Sequence, residues 1–466
     1  MSSILTYKKK GEKHMDVYDI LLDFGIASLF ILFGQLLRAK VSFFQKFFMP
    51  ASMIAGLLGL LLGPHFVNLL TFSDAAGDYT GLLMLVIFAV LGINGFKTGG
   101  MKGQSKETVE RFIGYSCYRF MLPMMQYAIG IFAGLTIIKL VAPDINDGFG
   151  LLLAAGFNGG HGTAATVSKT FADLGWAEAG DIAMTTATLG MLFGIFGGLG
   201  QIKMGTRKGW TGYIKDFRYA SGELKTGLIP KDEVSPMGND TISSVSLDSL
   251  CYHLSLVIMV TAGGYLFNKQ VIARFLSGAI PDYCIIYIVA LLFFICFHKT
   301  GIYEHMDTRI NNRISGTATD YLVFFGVARI NTAVVVKYAL PLIILILIGV
   351  ISLLICAWLC LRMVNKSWFE HYIFCYGYNT GIFAIGFVLL RIVDPDNKSH
   401  TLEDVAITPW GSFIDIFSWS LLPYALVNGQ GWLCVLACTL LTVAPVVLSI
   451  ICKVWYKTPI QEREFY

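Results

Sequence analysis

Gly156-Phe157-Asn158-Gly159-Gly160-His161-Gly162-Thr163 and Gly377-Tyr378-Asn379-Thr380-Gly381 interrupt two otherwise apolar stretches, one in each half of the chain. Both carry the pattern Gly-aromatic-Asn-x-Gly. Non-helical backbone survives at membrane depth only where protein buries it or a watery cavity receives it, because its N–H and C=O groups find no water in lipid. A matched pair of breaks in corresponding positions of two halves points to the binding site of a secondary transporter.

The composition around these breaks is that of a membrane protein. Of 466 residues, 55% are hydrophobic and 14% charged, whereas soluble domains run nearer about 25% charged. Apolar runs of about 20 residues recur from Val17 to Cys452, long enough to cross a hydrocarbon core of roughly 30 Å. The net charge of +4 is small, and nothing in it suggests a nucleic-acid partner. Nine of the ten cysteines fall in the second half. Cys356/Cys360 and Cys434/Cys438 stand one helical turn apart, which suits small packing residues better than disulfides or metal ligands. Zinc-ligand spacing, a phosphate loop and a nucleophile elbow are all missing from the sequence, so an enzyme is not expected. Lys8, Lys9 and Lys10 precede the first apolar run, but no small-residue cleavage pattern ends it, so it does not read as a signal peptide.

Hydropathy predicts eleven spans, at 17–37, 48–70, 80–96, 115–139, 182–202, 251–268, 282–298, 317–331, 338–361, 405–428 and 432–452. The segments 148–171 and 369–393 are too interrupted for plain spans and read as re-entrant hairpins. Loop charge gives the sidedness. Connections with Arg38, Lys40 and Lys46, and with Lys97, Lys102, Lys106 and Arg111, alternate with connections free of Lys and Arg that carry Asp74 and Asp78, or Asp173, Glu178 and Asp181. The central loop holds Lys203, Arg207, Lys208, Lys215, Arg218, Lys225 and Lys231. The basic loops are then cytoplasmic and the N-terminus external, against the vote of the N-terminal lysines, and of Lys269 and Arg274 later on.

Five spans per half invert the second half relative to the first. Three motif pairs recur in the same order. Phe88-Ala-Val90-Leu-Gly-Ile93-Asn94 matches Phe325-Gly-Val327-Ala-Arg-Ile330-Asn331, the two breaks follow, and Asp181-Ile-Ala-Met-Thr185 matches Asp404-Val-Ala-Ile-Thr408. The expected fold is therefore an all-α polytopic membrane protein of two inverted-topology repeats, five spans and one re-entrant hairpin each, plus an extra C-terminal span. Its parts are a first repeat over 1–202, a cytoplasmic loop over 203–249, a second repeat over 250–429, and an added span with a cytoplasmic tail over 430–466.

Several stretches resemble the sodium/glutamate symporter family. They are Val41-Ser-Phe-Phe-Gln-Lys-Phe-Phe-Met-Pro50 with Ile54-Ala-Gly56, Leu82 through Asn94, Gly159-Gly160-His161-Gly162-Thr163-Ala164 with Ser168-Lys169-Thr-Phe171, and Phe413-Ile414-Asp415-Ile416. The resemblance implies sodium-coupled uptake of glutamate across the bacterial inner membrane, ten spans, two hairpins, homodimers and an elevator-like movement, with no organic cofactor. The second break departs from the family's proline- and alanine-rich pattern, an eleventh span is added and the central loop is long. These departures leave open a carrier of another organic anion or amino acid, sodium- or proton-coupled, including an exporter. A channel is the remaining alternative, but it has no need of matched inverted hairpins.

Glycines at a hairpin tip let half-helices stop short and present free N–H groups, which attract a carboxylate. Free carbonyls with Asn and Thr oxygens suit a sodium ion. The substrate candidates are Gly159, Gly160, His161, Gly162, Thr163, Gly377, Thr380, Gly381 and, as a carboxylate clamp, Arg329. The sodium candidates are Asn94, Asn158, Asn331, Asn379 and Asp415, the last a mid-span carboxylate of the kind retained for function or a fixed ion pair, with Arg329 or Arg119 as the possible counter-ion. Thr185 and Thr408 are weaker sodium candidates. Each glycine has the alternative reading of helix packing, and His161 that of satisfying carbonyls in a tight turn.

Overall fold

The computed structural model describes residues 17–46, 49–64, 66–95, 106–213, 226–229, 234, 236–272, 282–364, 366–394, 398–406 and 410–456, with the backbone alone over 410–417. Among the described residues the secondary structure is helical throughout, without strands. The main helices are α1 (Val17–Lys40), α2 (Ala51–Leu62), α3 (Tyr79–Asn94), α4 (Lys106–Ala133), α5 (Leu151–Phe157), α6 (Gly160–Asp173) and α7 (Ala179–Lys208). They continue with α8 (Ser249–Phe267), α9 (Asp282–Phe297), α10 (Thr308–Ala328), α11 (Ala339–Met363), α12 (Trp368–Thr380), α13 (Phe383–Val393), α14 (Trp410–Val427) and α15 (Gly431–Ile451).

Among the described residues six helices are long and apolar enough to cross a membrane, and four shorter ones are apolar. Ten of the eleven spans expected from hydropathy overlap these. Two boundaries differ for clear reasons. The span expected at 48–70 is a helix of only 12 residues, about 18 Å long. Pro64 follows its last turn and cannot continue a helix. The chain folds back there, with the N–H groups of Asn68, Leu69 and Leu70 donating to Gly63 and Leu62 carbonyls at 2.8–2.9 Å. The span expected at 317–331 belongs to α10, which begins at Thr308 under the Asp307 cap. Its first two turns carry Arg309, Asn311, Asn312 and Arg313, and Asp320 follows; these polar residues lower the hydropathy of its N-terminal part.

The helices sort into two bundles by contact. In the first, α1 packs on α2, α8 on α9, and α3 lies along α10. Two further pairings complete it: α2 on α10 and α9 on α3. Both are close because a glycine allows it, as small residues do between membrane helices. A Cβ at Gly56 would stand 2.8 Å from Val327 Cβ, and one at Gly92 would stand 2.8 Å from Tyr287 O. The second bundle holds α4, α7, α11, α15 and the two interrupted pairs α5/α6 and α12/α13. There α15 runs along α4, burying Cys434 and Cys438. The Cys356 thiol lies 3.0 Å from Met125 Sδ, a packing contact like the one expected of it. The bundles meet where α6 and α7 lie against α3 and α10.

Candidate functional site

The first break follows from two glycines. Gly159 and Gly160 have φ of 96° and 64°, a left-handed backbone that other residues enter at a cost. That turn ends α5 at Phe157 and starts α6 at Gly160. In the second break α12 ends at Thr380, Gly381 leaves the helix with φ of −157° and ψ of −105°, Ile382 is extended, and α13 starts at Phe383. The two breaks touch. A Cβ on Gly160 would fall 2.6 Å from Ile382 Cγ2 and 3.2 Å from Gly381 O.

Helix α7 forms a spine behind both. A Cβ on its Gly190 would meet Thr380 O at 2.5 Å and Phe157 at 2.7 Å, and one on Gly194 would meet Thr380 Oγ1 at 2.6 Å. Helix α4 reaches the second break with two polar side chains. Gln126 Nε2 donates to Asn379 O at 2.6 Å. The Arg119 guanidinium stands 5.6 Å from the centre of the Tyr378 ring and donates to Val405 O at 3.0 Å.

Four polar atoms around these breaks are buried with no hydrogen-bond partner among the described residues: Asn158 Nδ2, His161 Nδ1, Gln126 Oε1 and Asn379 Oδ1. Such atoms are rare because each forfeits its hydration for nothing, and a cluster of them asks for an unseen partner. The state of His161 follows from its neighbour. Thr188 Oγ1 donates to Met184 O, so it accepts from His161 Nε2 at 3.0 Å. Nε2 therefore carries the proton and Nδ1 is left as an acceptor. The ring is pinned on one side by the Thr188 hydroxyl, not by a turn carbonyl as the structural reading had it, and is unsatisfied on the other.

The remaining expected residues divide. Thr163 is buried with its hydroxyl against Gly159. Gly162 faces open space, since a Cβ there would meet nothing within 4 Å; unlike Gly160, it makes no close approach and has no positive φ. Gly377 packs α12 on α13, where a Cβ would stand 2.8 Å from Gly386. Thr380 Oγ1 donates to Tyr376 O at 2.7 Å, which leaves its lone pairs available. Gly381 packs against Ile385 and Met191.

Three expected residues lie away from the breaks. Arg329 caps α10 and donates to Ser73 O at 3.1 Å, beside Asp23, which accepts from the Ser73 N–H, the Ser73 hydroxyl and the Tyr79 hydroxyl. Asn94 bonds Asn311 and Asn312 near the start of α10 at 3.0 and 2.9 Å. Asn331 lies past the other end, where its N–H donates to Asp181 at 2.8 Å and its side chain caps Ala333. Some 17 helical residues lead from Asn311 to the end of α10 at Ala328, about 25 Å, so Asn94 and Asn331 cannot serve one ion. The helices that carry their motifs, α3 and α10, lie antiparallel, which puts the two residues at opposite ends. Thr185 spends its hydroxyl proton on Asp181 O. Asp415 is on α14, and both its side chain and Thr408 lie outside the described residues.

Besides Gln126 and the placement of Arg119, sequence reasoning missed a buried ion cluster. Arg111 binds Asp404 at 2.7 and 3.2 Å, and His371 Nε2 meets the same carboxylate at 2.9 Å. Beside it the fully buried Glu370 accepts from Gly212 N–H at 2.7 Å. These contacts tie α4, the start of α12 and the segment Thr401–Ala406 together. At the opposite end of α7, Lys337 and Tyr338 bond Glu178 at 2.7 and 2.6 Å and hold its carboxyl below the usual range.

A cavity of about 310 Å³ opens between the bundles beside the second break. Ile382 and Ile385 line it from one bundle, and Arg38, Ser52, Thr319 and Asp320 from the other.

A family model described as Sodium/glutamate symporter matches residues 15–386. The chain belongs to the sodium/glutamate symporter family. That family consists of transporters, not enzymes, and the chain is a multi-pass membrane protein. It is 30% identical over 180 residues to the sodium/glutamate symporter of Haemophilus influenzae, covering 37% of this chain and 41% of that protein. Against the sodium/glutamate symporter of Escherichia coli it is 31% identical over 190 residues, 38% of this chain and 42% of the relative. The matched stretches span about two-fifths of the length of these curated relatives.

Proposed function

We propose that this protein is a sodium-coupled symporter of glutamate or a closely related carboxylate-bearing solute in the plasma membrane. The observation that carries the reading is the contact of the two breaks at Gly160 and Gly381, surrounded by four unpartnered buried polar atoms. The oxygens of Gln126 and Asn379 are sodium ligands in this reading, with Asn158 contributing its amide oxygen after exchange of the amide atoms. The first turn of α6 and the open space at Gly162 receive a carboxylate, since the N-terminal end of a helix favours an anion. Arg119, on Tyr378, replaces Arg329 as the cation that completes the clamp.

The two interrupted pairs are re-entrant hairpins of two inverted repeats, entering from opposite sides and meeting near the bilayer midplane. The pairing of α2 with α10 and of α9 with α3 supports this, because a two-fold axis would exchange the two contacts. The second bundle moves against the first in an elevator-like step, and the protein works as a homodimer in lipid. Labelled glutamate, aspartate, glutarate and a neutral amino acid, offered to proteoliposomes with and without an inward sodium gradient, test the reading. Sodium-dependent accumulation of glutamate is expected. Accumulation driven only by a proton gradient, or of another anion in preference, would favour the alternative carrier to which the divergent second break points.

A further inference from the structure

We infer that Asp181 is a latch between the two bundles, holding them together at one face while a gap separates them further along. The inference rests on the elevator reading above and names a bond that such a movement has to break. Asp181 lies in the first turn of α7, in the second bundle. Its Oδ1 accepts from the backbone N–H of Asn331 at 2.8 Å, three residues past the end of α10 in the first bundle. A hydrogen bond to a carboxylate is of the stronger, charge-assisted kind. The flanking contact works differently. Glu178 meets Lys337 and Tyr338, which directly precede α11 at Ala339. It therefore joins α7 to a helix of its own bundle and travels with it.

The gap is the cavity between the bundles, and it lies away from this bond. Met191 and Ile195 line it, 10 and 14 positions after Asp181, about 15 and 21 Å along α7. Thr319 lines it from α10, nine positions before that helix ends at Ala328, about 14 Å. The repeat sharpens the asymmetry. Asp404 is the sequence match of Asp181, and Asn94 that of Asn331. Asp404 binds Arg111 and His371, and Asn94 binds Asn311 and Asn312, partners within their own bundles. Asp181 binds across. Breaking its bond should therefore release the state tied at this face in favour of one that is not.

Two single-cysteine reporters, made after the exposed Cys251, Cys296 and Cys452 are replaced, read the balance in purified protein. Thr319→Cys stands in the gap. Ile330→Cys, at a position 5% exposed next to the bond, is covered while the latch holds. The ratio of their maleimide labelling rates follows the ratio of the two states. Asp181→Ala should shift that ratio about tenfold toward Ile330→Cys, the worth of one hydrogen bond to a charged group. Asp181→Asn keeps an oxygen for the Asn331 N–H and should shift it less. Glu178→Gln removes a charge from the same helix end without touching the bond, and should leave the ratio within about twofold. An unchanged ratio in Asp181→Ala, or equal acceleration of both reporters as in a loosened fold, overturns the inference. Sodium glutamate added to the wild type separates this from the elevator reading. A ratio that responds to sodium glutamate but not to Asp181→Ala refutes the latch alone, and one that responds to neither refutes the movement as well.

Discussion

Gly160 and Gly381 lie in the two breaks of the chain, 221 positions apart in sequence, and they are in contact: a Cβ on the first would press 3.2 Å from the carbonyl oxygen of the second. The same Cβ would stand 2.6 Å from Ile382 and would have to accept a φ of 64°. Gly160→Ala should therefore cost about 1–2 kcal/mol in backbone conformation, separate the tips and abolish uptake. Gly162→Ala meets no neighbour within 4 Å, so it should leave the melting temperature in detergent unchanged and lower only substrate affinity. Normal uptake by Gly160→Ala would show that the contact is not used in transport.

Gln126 joins α4 to the second break and leaves one oxygen unpartnered. If that oxygen and Asn379 Oδ1 coordinate sodium, Gln126→Leu should weaken sodium binding by about tenfold. Glutamate binding should fall with it through linkage. Sodium titrations followed by melting temperature measure this directly. An unaltered sodium dependence in both Gln126→Leu and Asn379→Ala would place the ion elsewhere.

The breaks were legible because a left-handed backbone calls for glycine at Gly159 and Gly160, and because their apolar surroundings make such punctuation conspicuous. Gln126 was not, since one amide in an apolar span has no period to betray it. Arg111 and Asp404 are 293 positions apart, a pairing that no local pattern encodes. Asn94 and Asn331 show the converse. Their motifs match, yet α3 and α10 run antiparallel, which sends equivalent residues to opposite ends.

The buried cluster of Arg111, Asp404 and His371 makes a stability prediction. Removing the carboxylate strands Arg111 and His371 in a site where Asp404 is only 2% exposed. Breaking one member of a buried pair costs roughly 3 kcal/mol. Asp404→Ala should melt lower in detergent, and adding Arg111→Ala should recover part of the loss. Additive single and double variants would mean that the pair is not coupled.

Sidedness is testable with single cysteines, after the exposed Cys251, Cys296 and Cys452 are replaced. In whole cells an impermeant maleimide should label Thr71→Cys, in the connection between α2 and α3, and should leave Gly222→Cys, in the basic central loop, unmodified. Equal labelling of the two would overturn the assignment of basic loops to the cytoplasm.

Asp415 is the residue through which coupling is best tested. It lies on α14, a helix rich in Phe, Ile and Trp, where a carboxylate needs an ion or a partner. Of the two arginines considered as its counter-ions, Arg119 contacts Val405 O and the Tyr378 ring, and Arg329 contacts Ser73 O; the Asp415 side chain lies outside the described residues, so the choice between ion pair and sodium ligand falls to experiment. Asp415→Asn keeps the shape and removes the charge. The expected result is a large loss of sodium affinity, with glutamate affinity falling in step because each ligand favours the same state. If Asp415 holds the substrate ammonium instead, glutamate affinity drops at saturating sodium while sodium binding measured alone persists. A structural ion pair would show itself as a lower melting temperature without either ligand. Sodium binding to the purified variant separates the three, and unchanged affinity for both ligands with unchanged stability would remove Asp415 from the site.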